Sequence, residues 1–232
     1  MVKIKADNSP LTKADIASHN YIKNHLLELF PNIPILSEED KSSAYNIRKK
    51  WSVFWLVDPL DGTKEFIKKN GEFSVNIALI ENGIPIFGVV YAPILDVLWY
   101  GSKSFGSFKV DSKKRVTKNK VRPFTFHDSI TVVASRSHIS EKLKVYLEKI
   151  KKHKLIQMGS SIKMCLIADG TAHIYPRLGP TMEWDTGAAH AVVLYAGGDI
   201  CDINSKQTLK YNKLDLLNPG FIVSHQSMSL VL

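Results

Sequence analysis

The stretch that most constrains this chain is residues 55–66, Trp-Leu-Val-Asp-Pro-Leu-Asp-Gly-Thr-Lys-Glu-Phe. An apolar, strand-like run ends at Asp58-Pro59, a second carboxylate follows at Asp61, and Gly62-Thr63 then opens a turn. Two acids held this close repel each other unless a cation lies between them or one keeps its proton. A Gly-Thr turn at a helix start offers free backbone N–H groups, which favour an anion. A cation site beside an anion site is the minimum that metal-assisted phosphate chemistry requires. From this stretch alone a plainer reading stays open, a strand running into an Asp-capped turn.

Composition narrows the class. With 232 residues, 44% hydrophobic and 23% charged, the chain is an ordinary globular protein, large enough for one sizeable domain or two halves sharing a core. Cys165 and Cys201 lie in apolar segments without C-x-x-C spacing, so they read as buried thiols of a reducing compartment. Lys3, Lys5 and Asp7 interrupt any apolar leader, and Pro85, Pro93 and Asp96 break the apolar region from Ile84 to Tyr100. The expected location is the cytoplasm. The net charge of +9 is scattered over Arg48-Lys49-Lys50, Lys113-Lys114-Arg115 and Lys151-Lys152, without zinc-finger or RNP spacing. That pattern argues against a nucleic-acid polymer as partner. It is compatible with small polyanions, and with peripheral contact at an acidic inner-membrane surface.

Helices and strands mix along the chain. Thr12 to Phe30 reads as a helix with Thr12 as N-cap, Asp15 in its first turn, and an apolar stripe of Ile22, Leu26, Leu27 and Phe30. Strands are expected at Ile35-Leu36, Trp51 to Val57, Phe73 to Ile80, Pro85 to Tyr91, Leu95 to Tyr100, Thr131 to Ser135, Ala172 to Tyr175 and Gly198 to Ile203. Helices are expected at Glu141 to Lys151, Ser160 to Ala168, and Thr186 to Ala196 capped by Asp185. The basic, turn-rich Gly101 to Phe126 segment places a seam near its end, giving halves 1–127 and 128–232. The mixture predicts an α/β protein of layered sheets covered by helices.

Further acids stand at element ends: Glu38-Glu39 after Ile35-Leu36, and Asp185 in Met182-Glu183-Trp184-Asp185. Each alone could be a solvated turn or a helix cap. Together, the upstream Ser-Glu-Glu, Asp-Pro-Leu-Asp-Gly-Thr and Glu-Trp-Asp resemble the inositol monophosphatase superfamily of magnesium-dependent, lithium-sensitive phosphatases. Lys5 to Asp15, Asn70 to Ile80, Tyr175 to Asp185 and Asn218-Pro219-Gly220-Phe221 are similar to its bacterial CysQ-type branch, the 3′(2′),5′-bisphosphate nucleotidases.

That resemblance implies an α-β-α-β-α sandwich of the sugar-phosphatase type. It implies Mg²⁺ held by Glu38, Asp58, Asp61, Asp185 and the Leu60 carbonyl, with Asp58 bridging two ions. The Gly62 and Thr63 amides would hold phosphate, with Glu38, Leu60, Asp61 and Asp185 bordering the same substrate. Asp15 and Thr63 would orient the attacking water. Ser135-Arg136-Ser137-His138 and Gly159-Ser160-Ser161-Ile162-Lys163 are similar to segments around the nucleotide, making Ser160, Lys163 and Arg177 candidates for the second phosphate. Glu39 and His190 receive no role, a lone histidine being more often structural. The implied reaction removes the 3′-phosphate of adenosine 3′,5′-bisphosphate, or of its 5′-phosphosulfate analogue. Alternatives are an inositol or sugar monophosphatase and a noncatalytic nucleotide-binding protein. The resemblance also implies a long amphipathic helix before Lys5-Ala6-Asp7. The chain starts at Met1, so the expectation is that this usual first helix is missing and leaves apolar surface uncovered.

Overall fold

The computed structural model describes residues 2–4, 10–40, 43–125, 128–136, 141–148, 150 and 152–228. The N-terminal ribbon pairs β1 (Val2–Ile4) with β2 (Pro10–Thr12) and leads into α1 (Lys13–Leu29). Thr12 caps α1 as expected, its Oγ1 accepting the Ala14 N–H at 3.1 Å while Asp15 accepts the Thr12 N–H at 2.7 Å. The expected apolar stripe is only half realised. Leu26 is buried and Ile22 packs beside it, but Leu27 and Phe30 are each 42% exposed. Successive helical residues are about 100° apart, so Leu27 points away from the line of contact that Leu26 makes.

After β3 (Ile35–Ser37) and the short α2 (Tyr45–Arg48) comes β4 (Val53–Asp61), followed by α3 (Thr63–Ile67). The sheet continues through β5 (Ser74–Glu81), β6 (Ile84–Ala92), β7 (Val97–Ser102), β8 (Gly106–Val110) and β9 (Val116–Lys118). These form one seven-stranded sheet in the order β3-β4-β5-β6-β7-β8-β9, parallel only between β3 and β4. The basic segment read as turn-rich therefore contributes the β8–β9 hairpin. Strand β4 runs four residues past Val57, the expected end. Its register against β5 slips between Asp58, which faces Asn76, and Asp61, which faces Ser74. One extra residue is accommodated there as a bulge, where Pro59 needs no ladder partner.

The rest of the chain builds a second layer. Strands β10 (Ile130–Ser135) and β11 (His153–Met158) pair in parallel across α4 (Glu141–Glu148). After α5 (Ile162–Ala168) come β12 (Tyr175–Arg177), α6 (Glu183–Leu194), β13 (Gly198–Asp202), β14 (Phe221–His225) and a 3₁₀ turn at Gln226–Met228. Strands β12, β14 and β13 form an antiparallel sheet, joined to β10 by a bridge between Val132 and Ile174. The strand expected at Ala172 to Tyr175 is thus shifted toward Arg177, and β11 and β14 add two strands to this layer beyond those expected. The helix expected to reach Lys151 ends at Glu148, with Lys151 itself outside the described residues.

Side-chain alternation shows the layers. On β4, Trp55 and Val57 face α1, whereas Phe54 and Leu56 join the central core; on β10, Val133 joins that core and Val132 and Ala134 face α4. Helices α5 and α6 fill the space between the sheets, giving the α-β-α-β-α order. The central core includes Leu36, Leu56 and Ile80 from one half and Val133, Ile167 and Val223 from the other. Phe126 and His127, where the seam is expected, lie outside the described residues. Both cysteines are buried and free, as expected. Among the described residues no helix is long and apolar enough to cross a membrane.

Candidate active site

The ends of β3 and β4 and the start of α6 meet at one point. The Glu38 N–H donates to the Val57 carbonyl at 3.1 Å, which seats Glu38 beside the end of β4. In an unbroken strand, residues three apart point to opposite faces. The bulge cancels that opposition for Asp58 and Asp61. Helix α6 begins at Glu183, three residues earlier than expected. Met182 occupies the N-cap and Asp185 lies inside the first turn, reaching back to accept the Met182 N–H at 2.8 Å. Asp185 therefore caps from within the helix, leaving its other oxygen toward the acids of the sheet.

Glu38, Asp58 and Asp185 each place a carboxylate oxygen within 4.8 Å of the others. Asp58 is 1% exposed; its Oδ1 accepts the Leu60 N–H at 3.0 Å, and its Oδ2 is buried with no hydrogen-bond partner among the described residues. Burial, then Glu38, Asp61 and Asp185, push the Asp58 carboxyl well above the usual range. Asp185 is pushed up to about 8 by burial and by Asp61 and Glu38. Burial also raises Asp61, against the opposing pull of Lys163, the Ser161 amide and Arg177. Carboxylates gathered this way resist ionisation in the absence of a counter-charge. Hard oxygen donors around one orphaned carboxylate oxygen fit a divalent cation.

Beside the triad, Thr63 Oγ1 donates to Asp15 Oδ1 at 3.2 Å. Asp15 is 1% exposed and its other oxygen is taken by the Thr12 N–H and hydroxyl, so the carboxylate has one orientation. Ser18 Oγ donates to the Pro59 carbonyl at 2.8 Å, fixing the peptide before Leu60. Thr63 Oγ1 also lies 3.5 Å from the Leu60 carbonyl. Gly62 has φ +92°, a left-handed angle, as it turns the chain into α3.

A cavity of about 160 Å³ opens next to these groups, lined among others by Asp61, Ser160, Lys163, Tyr175, Arg177 and Asp185. Lys163 is 7% exposed, donates to the Ser160 carbonyl at 2.5 Å and sits 5.6 Å from the Tyr175 ring centre. Burial pushes its ammonium down to about 8, against the attraction of Asp61. Arg177 donates to the Pro180 carbonyl at 2.9 Å, while its Nε is buried without a hydrogen-bond partner among the described residues.

Residues 2–231 match the model of the inositol monophosphatase family. This chain belongs to the inositol monophosphatase family. It is 48% identical over 222 residues to the 3′(2′),5′-bisphosphate nucleotidase CysQ of Escherichia coli strain K12, covering 95% of this chain and 87% of that protein. It is also 48% identical over 228 residues to the protein of that name from Buchnera aphidicola, covering 96% and 83%. The solved CysQ of Bacteroides thetaiotaomicron, itself described as a bacterial member of the inositol monophosphatase family, superposes with a TM-score of 0.85 at 41% identity, covering 96% of this chain and 87% of that one. The SuhB protein of Bartonella henselae, at 23% identity and a TM-score of 0.78, shares the fold.

Within this family member, Glu38, Asp58 and Asp185 converge, Thr63 meets Asp15, and Lys163 and Arg177 line the cavity together. Asp61 is placed differently. It accepts the Ser161 N–H at 2.5 Å and lies outside the triad, although its charge reaches both Asp58 and Asp185. The Gly159-Ser160-Ser161 turn is already occupied in part, since that N–H goes to Asp61 and the helix begins only at Ile162. Ser137 and His138 lie outside the described residues. His190 is structural, fully buried between the Tyr211 hydroxyl at 2.9 Å and Asp199 at 3.0 Å. Two groups passed unnoticed in the sequence. Asn76 accepts from Ser161 Oγ at 2.7 Å, and Glu72 binds Arg136 and Gly159. Both lie in the Asn70 to Ile80 segment, where only their place in the motif signalled them.

Proposed function

We propose that this protein hydrolyses the 3′-phosphate of adenosine 3′,5′-bisphosphate, giving AMP and phosphate, with Mg²⁺ as its metal. The observation that carries the reading is a cavity lined by both signs of charge: Asp185, which belongs to the cluster with Glu38 and Asp58, stands on its wall with Asp61, and so do the cations Lys163 and Arg177. A substrate with two phosphates satisfies both. The close relatives named as bisphosphate nucleotidases support the same choice.

Glu38, Asp58, Asp185, Asp61 and the Leu60 carbonyl would hold the metal, which supplies Lewis-acid charge that offsets both the carboxylates and the phosphate. The Gly62 and Thr63 amides, at the start of α3, would hold the scissile phosphate. Thr63 donates its own proton to Asp15, so its oxygen can accept a hydrogen bond from the attacking water and aim it in line with the bond to the ribose oxygen. The proton lost by that water passes through Thr63 to Asp15, and the ribose oxygen leaves and is protonated from solvent. Lys163 and Arg177 hold the 5′-phosphate.

The test is phosphate release from adenosine 3′,5′-bisphosphate and, in parallel, from inositol monophosphate. Mg²⁺-dependent release that prefers the bisphosphate and is lost in Asp58→Asn is the expected result. Preference for inositol monophosphate would move the assignment to a sugar monophosphatase, and absence of release from either would make the chain a noncatalytic binder.

A further inference from the structure

Glu72 stands just before β5, outside the acidic triad, and ties three pieces of chain together. Its carboxylate receives Arg136 through Nε at 3.1 and 2.9 Å and through Nη2 at 2.6 Å. The same carboxylate accepts the Gly159 N–H at 2.8 Å. Arg136 follows the end of β10 and also donates to the Gln157 carbonyl of β11 at 3.3 Å. Both strands of the parallel pair β10–β11 are thus fastened at their C-terminal ends to one residue in the loop that leads into β5. Ser135 and Gly159, each next to a fastening point or forming one, line the cavity.

The close approach at Gly159 shows how tight the fastening is. A Cβ there would lie 2.4 Å from the Glu72 carbonyl oxygen and 2.8 Å from Glu72 Cβ. Immediately beyond, Ser160 adopts φ +49°, a strained angle for a residue with a side chain. That geometry delivers the Ser161 N–H to Asp61 and the Ser160 carbonyl to Lys163. The turn therefore sets where one metal-side acid and one cation stand relative to each other, and Glu72 holds the turn.

We propose that Glu72, braced by Arg136, is a positioning residue that sets the spacing between the acidic and the cationic groups of the cavity, Asp61 and Lys163. This rests on the bisphosphate reading above. The Arg136 side chain is 46% exposed, so the ion pair contributes little to global stability, and its loss is expected to appear in substrate affinity instead.

Glu72→Gln keeps an acceptor for Gly159 but loses the charge, whereas Glu72→Ala loses both. The expected result is a graded rise in KM for adenosine 3′,5′-bisphosphate, about threefold for Glu72→Gln and roughly tenfold for Glu72→Ala, with kcat and the melting temperature close to wild type. Arg136→Ala should match Glu72→Gln, and the double variant Glu72→Gln/Arg136→Ala should be no worse than either, as for two members of one unit. An unchanged KM in Glu72→Ala, additive effects in the double variant, or a fall in melting temperature that accounts for the KM change would overturn the proposal. Wild-type phosphate release is measured first. If wild type releases none, the functional reading fails by itself, and the strut is tested by calorimetric binding of the same bisphosphate across the same variants.

Discussion

Asp58 owes its position to one extra residue in β4. Without the bulge, Asp58 and Asp61 would point to opposite faces of the sheet, and only one could look toward α6. The residue types were legible because carboxylates beside Pro and Gly at a strand end are conspicuous. Their sharing of a face was not, because it depends on pairing with Ser74 and Asn76 of β5. Lys163 makes the opposite case: its sequence neighbours suggest a surface cation, yet it is buried against Tyr175 and drawn to Asp61. Removing it should cost a two-phosphate ligand more than a one-phosphate ligand. Lys163→Ala is expected to raise KM for adenosine 3′,5′-bisphosphate about tenfold and that for inositol monophosphate less than twofold, consistent with one lost charge-assisted contact. Equal effects on the two substrates would remove Lys163 from the recognition site.

At the scale of elements, α6 is the piece that brings Asp185 to the sheet, and small residues let it come close. A Cβ on Gly88 of β6 would lie 2.3 Å from the Ala188 carbonyl oxygen, and one on Gly101 of β7 would lie 2.8 Å from the Ala191 carbonyl oxygen. Gly88→Ala should push the helix outward. The expected loss is about 1–3 kcal/mol of stability, as for other overpacked cores, read as a lower denaturation midpoint. Mg²⁺-dependent activity should also require more metal, because Asp185 retreats from Glu38 and Asp58. An unchanged midpoint and metal requirement would show that the sheet yields instead. The strands β5, β6 and β7 were legible from their alternation and turn residues. Strand β11 was not: His153–Met158 carries no alternation and is only partly buried, so its conformation comes from pairing with β10. The start of α6 differs from the expected one because Asp185 has the residue type of an N-cap but performs the reach-back from inside the turn.

The whole molecule concentrates repulsion at one place and holds it with two sheets and the helices between them. The sign of its effect on stability follows from Asp185. This carboxyl titrates near 4 when unfolded and near 8 in the fold, so between those values the native state binds more protons. The metal-free protein should therefore lose stability as pH rises from about 5 to 8, and Asp185→Asn should flatten that loss. Mg²⁺ should raise the melting temperature more at pH 8 than at pH 5. A metal-free melting temperature that is flat or rising over this range would show that the triad is not strained.

The amino-acid sequence by itself determined the donor chemistry, the family and most of the strands and helices, since residue type, capping and alternation act over a few positions. Only the tertiary structure decided that Glu38, Asp58 and Asp185 meet at one point, that Asp61 turns to Ser161, and that Glu72 meets Arg136 and Gly159. Distances between residues remote in the chain are set by bulges, strand register and the closeness of helix to sheet, and no local preference encodes them.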